Sequence, residues 1–112
     1  MSRVPERLAD ILEAIDNIER YAVRGRDAFE RDELVQVWVL HHLRVIGEAV
    51  RVVKPQLAGA HPDIPWSSIV GMRNILVHHY FAVDTDLIWR VVENELAPLK
   101  QSVAALLAQI EH

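Results

Sequence analysis

The stretch DELVQVWVLHHLRVIGEAVRVV, running from Asp32 to Val53, decides the fold. Leu34, Val35, Val37, Trp38, Val39, Leu40, Leu43, Val45, Ile46, Ala49, Val50, Val52 and Val53 are apolar, and many of them are β-branched. A strand of about 20 residues without a turn signal would be far too long, so the stretch is read as a helix. Asp32 supplies an N-cap, and Lys54-Pro55 is expected to stop the helix. Its apolar residues cover more than one face, which requires burial on more than one side. In a chain this small the simplest second cover is another subunit.

Ahead of this helix, Leu8, Ile11, Leu12, Ile15, Ile18 and Ala22 recur at steps of three and four, with Asp10, Glu13, Asp16, Asn17 and Glu19 between them. That is an amphipathic helix. Pro5 suits its first turn and Gly25 its end, before a charged connector Arg24-Gly25-Arg26-Asp27. Beyond the central helix, Pro55, Gly59 and Pro62 punctuate a loop from Gln56 to Ile64. Pro65 then opens a third helix through Trp66, Ile69, Val70, Met72, Ile75, Leu76 and His78, with Trp66 anchoring its start. Phe81-Ala82-Val83 breaks the period, and Asp84, Thr85 and Asp86 place a cap and a carboxylate at the start of a fourth helix. The fourth helix carries Leu87, Ile88, Val91, Val92, Leu96, Leu99, Val103, Leu106, Leu107 and Ile110. Pro98 lies inside that pattern, so the last helix should kink or break near Glu95. The expected architecture is all-α, an up-and-down four-helix bundle in one domain over residues 1–112.

Composition narrows the function classes. The chain has 112 residues, 51% hydrophobic and 25% charged, with a formal net charge of -4. The hydrophobic share slightly exceeds the ordinary globular range and leaves apolar surface for a partner. An acidic balance argues against coating nucleic acid by bulk electrostatics, while leaving room for a local basic site. The absence of cysteine excludes disulfides and thiolate metal sites. The first residues, Met1-Ser2-Arg3-Val4-Pro5-Glu6, lack the apolar core of a signal peptide, and no run approaches a membrane span. The expectation is a soluble cytoplasmic protein.

Chemistry concentrates in Arg73-Asn74-Ile75-Leu76-Val77-His78-His79-Tyr80. Arg73 offers a rigid fork of donors for phosphate, His78 moves protons near neutral pH, and Tyr80 adds a modifiable hydroxyl. On a helix Asn74 and His78 share one face and Arg73 and Tyr80 another, and Arg73 lies about 140° from His78. One straight helix would not aim both at one atom without the long Arg stem or an unwound last turn. The bland alternative makes Arg73 a surface charge, His78 and His79 a helix-end pair, and Tyr80 a core ring. Neighbours on a helix diverge by about 100°, so neither His41-His42 nor His78-His79 can clamp one metal ion, and no metal or other cofactor is expected. Glu48 is either a solvated or salt-bridged carboxylate, or a residue that orients Arg73 or His78 across the bundle.

Arg73, four residues, His78, one residue and Tyr80 resemble the R-x(4)-H-x-Y signature of the HepT-like HEPN ribonuclease toxins, with Asn74 as the polar residue after the arginine. Ile46-Gly47-Glu48-Ala49, Ile64-Pro65-Trp66, Gly71-Met72-Arg73-Asn74 and Trp89 extend the likeness over nearly the whole chain. The resemblance implies a helical-bundle homodimer and a metal-independent endoribonuclease site shared across its interface. In such a cleft Arg73 and His78 would be catalytic, and Asn74 and Glu48 would position them. It also implies the toxin of a type VII toxin–antitoxin system, silenced by a nucleotidyltransferase antitoxin that transfers AMP to Tyr80. RNA is the implied substrate, and the alternative is a non-catalytic nucleotide- or RNA-binding module of the same fold.

Overall fold

A computed structural model of the chain describes residues 4–57, 59, 61, 64, 66, 69 and 85–111. These residues form five helices and no strand: α1 (Val4–Ala22), α2 (Arg26–Arg31), α3 (Glu33–Leu57), α4 (Thr85–Asn94) and α5 (Leu96–Glu111). The all-α expectation holds. α1 packs along α3 and, on another side, along α5, while the short α2 sits between α3 and α4.

The core follows the helical period directly. Leu8, Ile11, Ile15 and Ile18 of α1 are fully buried, and Val39, Leu43, Ile46, Val50 and Val53 of α3 close over them. Ile88 and Val91 of α4 and Leu96, Leu99, Val103 and Leu106 of α5 complete the same cluster. Each fully buried aliphatic side chain contributes roughly 1.5–3 kcal/mol relative to exposure. The faces carrying Asp10, Glu13, Asp16 and Glu19 are left toward solvent, where Lys100 reaches from α5 to Asp16 and Glu19 at 3.0 Å each.

Asp32 caps α3 as expected: its carboxylate accepts from the amides of Leu34 at 3.0 Å and Val35 at 3.3 Å. Between the first two expected helices the connector is itself partly helical. α2 spends six residues burying Phe29 against Trp89, ring centroids 5.5 Å apart. Gln36 donates to the carbonyls of Phe29 and Glu30 at 3.0 and 3.2 Å, which satisfies two acceptors at the end of α2. Arg26 ties α2 to α4 through Asp86. Gly25, at φ 92°, makes the turn out of α1 in a backbone region open to glycine.

Two proline expectations come out differently. α3 does not stop at Lys54-Pro55 but runs on to Leu57. Pro55 lies exposed in the last turn, so its missing N–H costs a hydrogen bond at the helix end rather than in its interior. The last helix does break, at Glu95, three residues before Pro98. Pro98 is then in the first turn of α5, where amide hydrogens have no partner within the helix.

Of the expected third helix, Trp66 and Ile69 are described, and both are buried, as is Ile64 at the end of the expected loop before it. Trp66 donates its indole N–H to the His61 carbonyl at 2.9 Å, the anchoring role expected of it.

Candidate functional site

The four site residues of the eight-residue stretch, Arg73, Asn74, His78 and Tyr80, lie outside the described residues, as does His79. What is on view is the ground before and beside them. Ile64, Trp66 and Ile69 seat the approach to that stretch in the core, and Glu48 stands on α3.

Glu48 is half-buried. Arg51, three residues on, donates to its carboxylate through Nη2 at 3.1 Å and Nε at 3.3 Å. The salt-bridged state expected as its bland role is therefore present, and its carboxylate is oriented by a guanidinium from its own helix. Around it, Arg7 and Asp10 of α1 and His41, Arg44, Val45, Ala49 and Val52 of α3 line an open groove of about 420 Å³. Arg7 and Asp10 pair at 3.1 Å across one turn of α1. Two guanidinium groups, an imidazole and two carboxylates over an aliphatic floor can hold a phosphate on one side and a base or sugar on the other. Arg7, Asp10 and Arg44 were not singled out from sequence. Their signal was their place on the outer edges of α1 and α3, which becomes legible once the two helices are known to pack.

The neighbouring histidines divide. His41 is exposed, whereas His42 is buried at 8% relative exposure between α1 and α3, packed edge-on to Trp38 at 4.5 Å. Among the described residues neither ring nitrogen of His42 finds a hydrogen-bond partner. Burial, followed by the charge of His41 and, less strongly, of Arg20, holds its pKa below the ordinary imidazole value, against an upward pull from Glu13. It is a neutral core residue. The two neighbours thus face opposite surroundings, His41 toward solvent and His42 toward the core. Among the described residues no group of three or more His, Asp or Glu side chains gathers as a metal site would need.

Among the described residues no helix is long and apolar enough to cross a membrane.

A family model described as HepT-like ribonuclease matches residues 11–106, which include the Arg73 to Tyr80 stretch and α3. The chain is 36% identical over 94 residues to a protein of Thermococcus cleftensis named as a probable ribonuclease HepT, covering 83% of this chain and 86% of that one. It is 32% identical over 97 residues to a protein of Methanocaldococcus jannaschii named as a candidate RNase, covering 86% and 89%. A candidate RNase of Caldanaerobacter subterraneus subsp. tengcongensis is 32% identical over 90 residues, covering 80% of each chain. No solved structure matches the chain.

Proposed function

The chain belongs to the HepT-like ribonuclease family, and from that premise we propose that it is an endoribonuclease whose catalytic groups are Arg73 and His78. The carrying observation is that the family match spans an arginine, a histidine and a tyrosine at the spacing R-x(4)-H-x-Y. In this reading the imidazole of His78 takes the proton of a ribose 2′-OH, the 2′-oxygen attacks the adjacent phosphorus, and the 5′-oxygen leaves with a proton returned to it. Arg73 holds the phosphate as charge builds on its oxygens. Asn74 and Glu48 position the pair. No metal is needed, because acid, base and electrophile are all side chains.

The site is shared by two chains. On an ideal helix Arg73 and His78 would diverge by about 140°, and two copies facing a common cleft would bring an arginine and a histidine together without distorting either helix. Such a cleft supplies two imidazoles, one for the base and one for the acid.

Tyr80, two residues from His78, is the regulatory acceptor. An antitoxin of nucleotidyltransferase type transfers AMP from ATP to its hydroxyl, and the anionic adduct excludes RNA by bulk and by charge. The unmodified chain is then a toxin. After co-expression with such an enzyme, the wild type gains one adenylyl group by intact mass and Tyr80→Phe gains none; an adduct on another residue, or none at all, contradicts this.

The test of cleavage is RNA incubated with purified protein in a chelator. Wild type cuts, and His78→Ala loses about 10²- to 10⁴-fold, the usual worth of one general acid or base. Equal silence of both, with RNA retained on the protein, is the result for a non-catalytic RNA-binding module.

A further inference from the structure

Where α1 ends and α3 begins, Tyr21, Arg24, Asp32, Leu34, Val35 and Trp38 line an open cavity of about 250 Å³. Its floor is aromatic. Tyr21 and Trp38 meet edge to face, with ring centroids 5.6 Å apart and planes at 69°, and form a corner in which a flat ring can lie on one and touch the other. Trp38 donates its indole N–H to the Asn17 carbonyl at 2.8 Å, which pins the ring before any ligand arrives. The Arg24 guanidinium stands 4.9 Å from the centre of the Tyr21 ring. Among the described residues Arg24 has no carboxylate partner and the Tyr21 hydroxyl no hydrogen bond. Asp32 gives one carboxylate oxygen to the amides of Leu34 and Val35, and among the described residues its other oxygen is unbonded.

We infer that this cavity binds one base of a single-stranded RNA, stacked in the Tyr21–Trp38 corner, with Arg24 on a neighbouring phosphate and Asp32 on an amino group of the base. Single strands are held by this combination, because every base has a face that stacks on an aromatic ring and a guanidinium serves the backbone. A carboxylate accepts from the amino group of cytosine and meets a carbonyl oxygen at the same place on uracil, so of the two pyrimidines the site favours cytosine. An aliphatic or proline-rich peptide would use the rings and the exposed Leu34 but leave Arg24 and Asp32 unused. With a net charge of -4 the chain cannot hold RNA by bulk attraction, and discrete contacts of this kind have to supply the affinity. Trp38 stands roughly 15 Å along α3 from Glu48, so the cavity is a second hold on the strand, apart from the groove beside Glu48. The inference takes its ligand from the ribonuclease reading, while its geometry is independent of the cleavage chemistry.

The chain has three tryptophans, whose indole N–H signals can be followed by NMR, and Trp38→Phe identifies the one at this site. Cytidine 5′-monophosphate should move the Trp38 signal, uridine 5′-monophosphate should move it less, and ribose 5-phosphate should leave it in place. No movement with either nucleotide, equal movement with ribose 5-phosphate, or movement only with a proline-rich peptide overturns the proposal. On a long single-stranded RNA, Tyr21→Leu should raise KM about 5- to 100-fold, the worth of one stacked base, with kcat unchanged. Tyr21 also packs on the core, so the exposed change Arg24→Gln is a second variant. It should weaken RNA binding and flatten its salt dependence by about one phosphate contact. Both variants should cut a dinucleotide as fast as wild type. An unchanged KM in both, or an equal loss on the dinucleotide, also overturns the proposal. Wild type that cuts RNA while Trp38 ignores nucleotides sinks only this site, and a Trp38 response in a protein that cuts nothing sinks only the ribonuclease reading.

Discussion

His42 is the residue whose protonation the fold resists. Buried, with both ring nitrogens unbonded among the described residues, it is held neutral in the folded chain and returns toward an ordinary imidazole, near 6.5, on unfolding. The unfolded state therefore binds the extra proton first, so stability is complete above that value and falls as pH drops below it. Chemical denaturation from pH 7.5 to 5 should show this decline in the wild type and a flatter profile in His42→Leu, with no loss of stability for the variant at neutral pH. A parallel decline in both would assign the effect elsewhere. Sequence alone could not separate His42 from His41, because consecutive helical residues differ by about 100° and the packing of α1 decides which of them is covered. The catalytic candidates were the opposite case. Arg73, His78 and Tyr80 stand out by type and spacing alone, and they lie outside the described residues, so their candidacy rests on the sequence.

Among the elements, the long ones were legible and the short one was not. α1 and α3 bury residues at three- and four-residue steps over many turns, so their period shows in the sequence and their cores fall where that period puts them. α2 has only six residues and one buried ring, too little for any period, and it reads as a charged connector. Phe29→Ala should nonetheless cost about 3–5 kcal/mol in denaturant unfolding, because it empties the contact with Trp89 at the α2–α4 junction. Asp32→Ala should cost about 1 kcal/mol by the same assay through loss of the α3 cap. A smaller effect for Phe29 than for Asp32 would mean that α2 contributes little to the bundle. The prolines show why termini are harder than interiors. Pro98 marks the break at Glu95 because a first turn accepts it, whereas Pro55 sits exposed in a last turn, where its missing N–H does not interrupt the helix interior, and the helix continues to Leu57.

At the scale of the molecule, α3 buries one side in the described core and leaves Leu34, Val37 and Val52 exposed, and on an ideal wheel Arg73 and His78 would stand about 140° apart. The proposed second chain would answer both features. The surplus of apolar residues was visible in composition; which face it occupied was not, since an apolar helix gives no sign of which side its own chain will cover. The account therefore rests on a cleft in which side chains alone transfer a ribose proton. It is tested most directly by identifying the ends left on a defined RNA cut in the presence of a chelator. Attack by the 2′-oxygen predicts fragments with a 5′-hydroxyl and a cyclic or open phosphate on the ribose, and no cut where the attacking nucleotide is 2′-deoxy. Fragments bearing 5′-phosphates, or cleavage that survives the 2′-deoxy substitution, would contradict it.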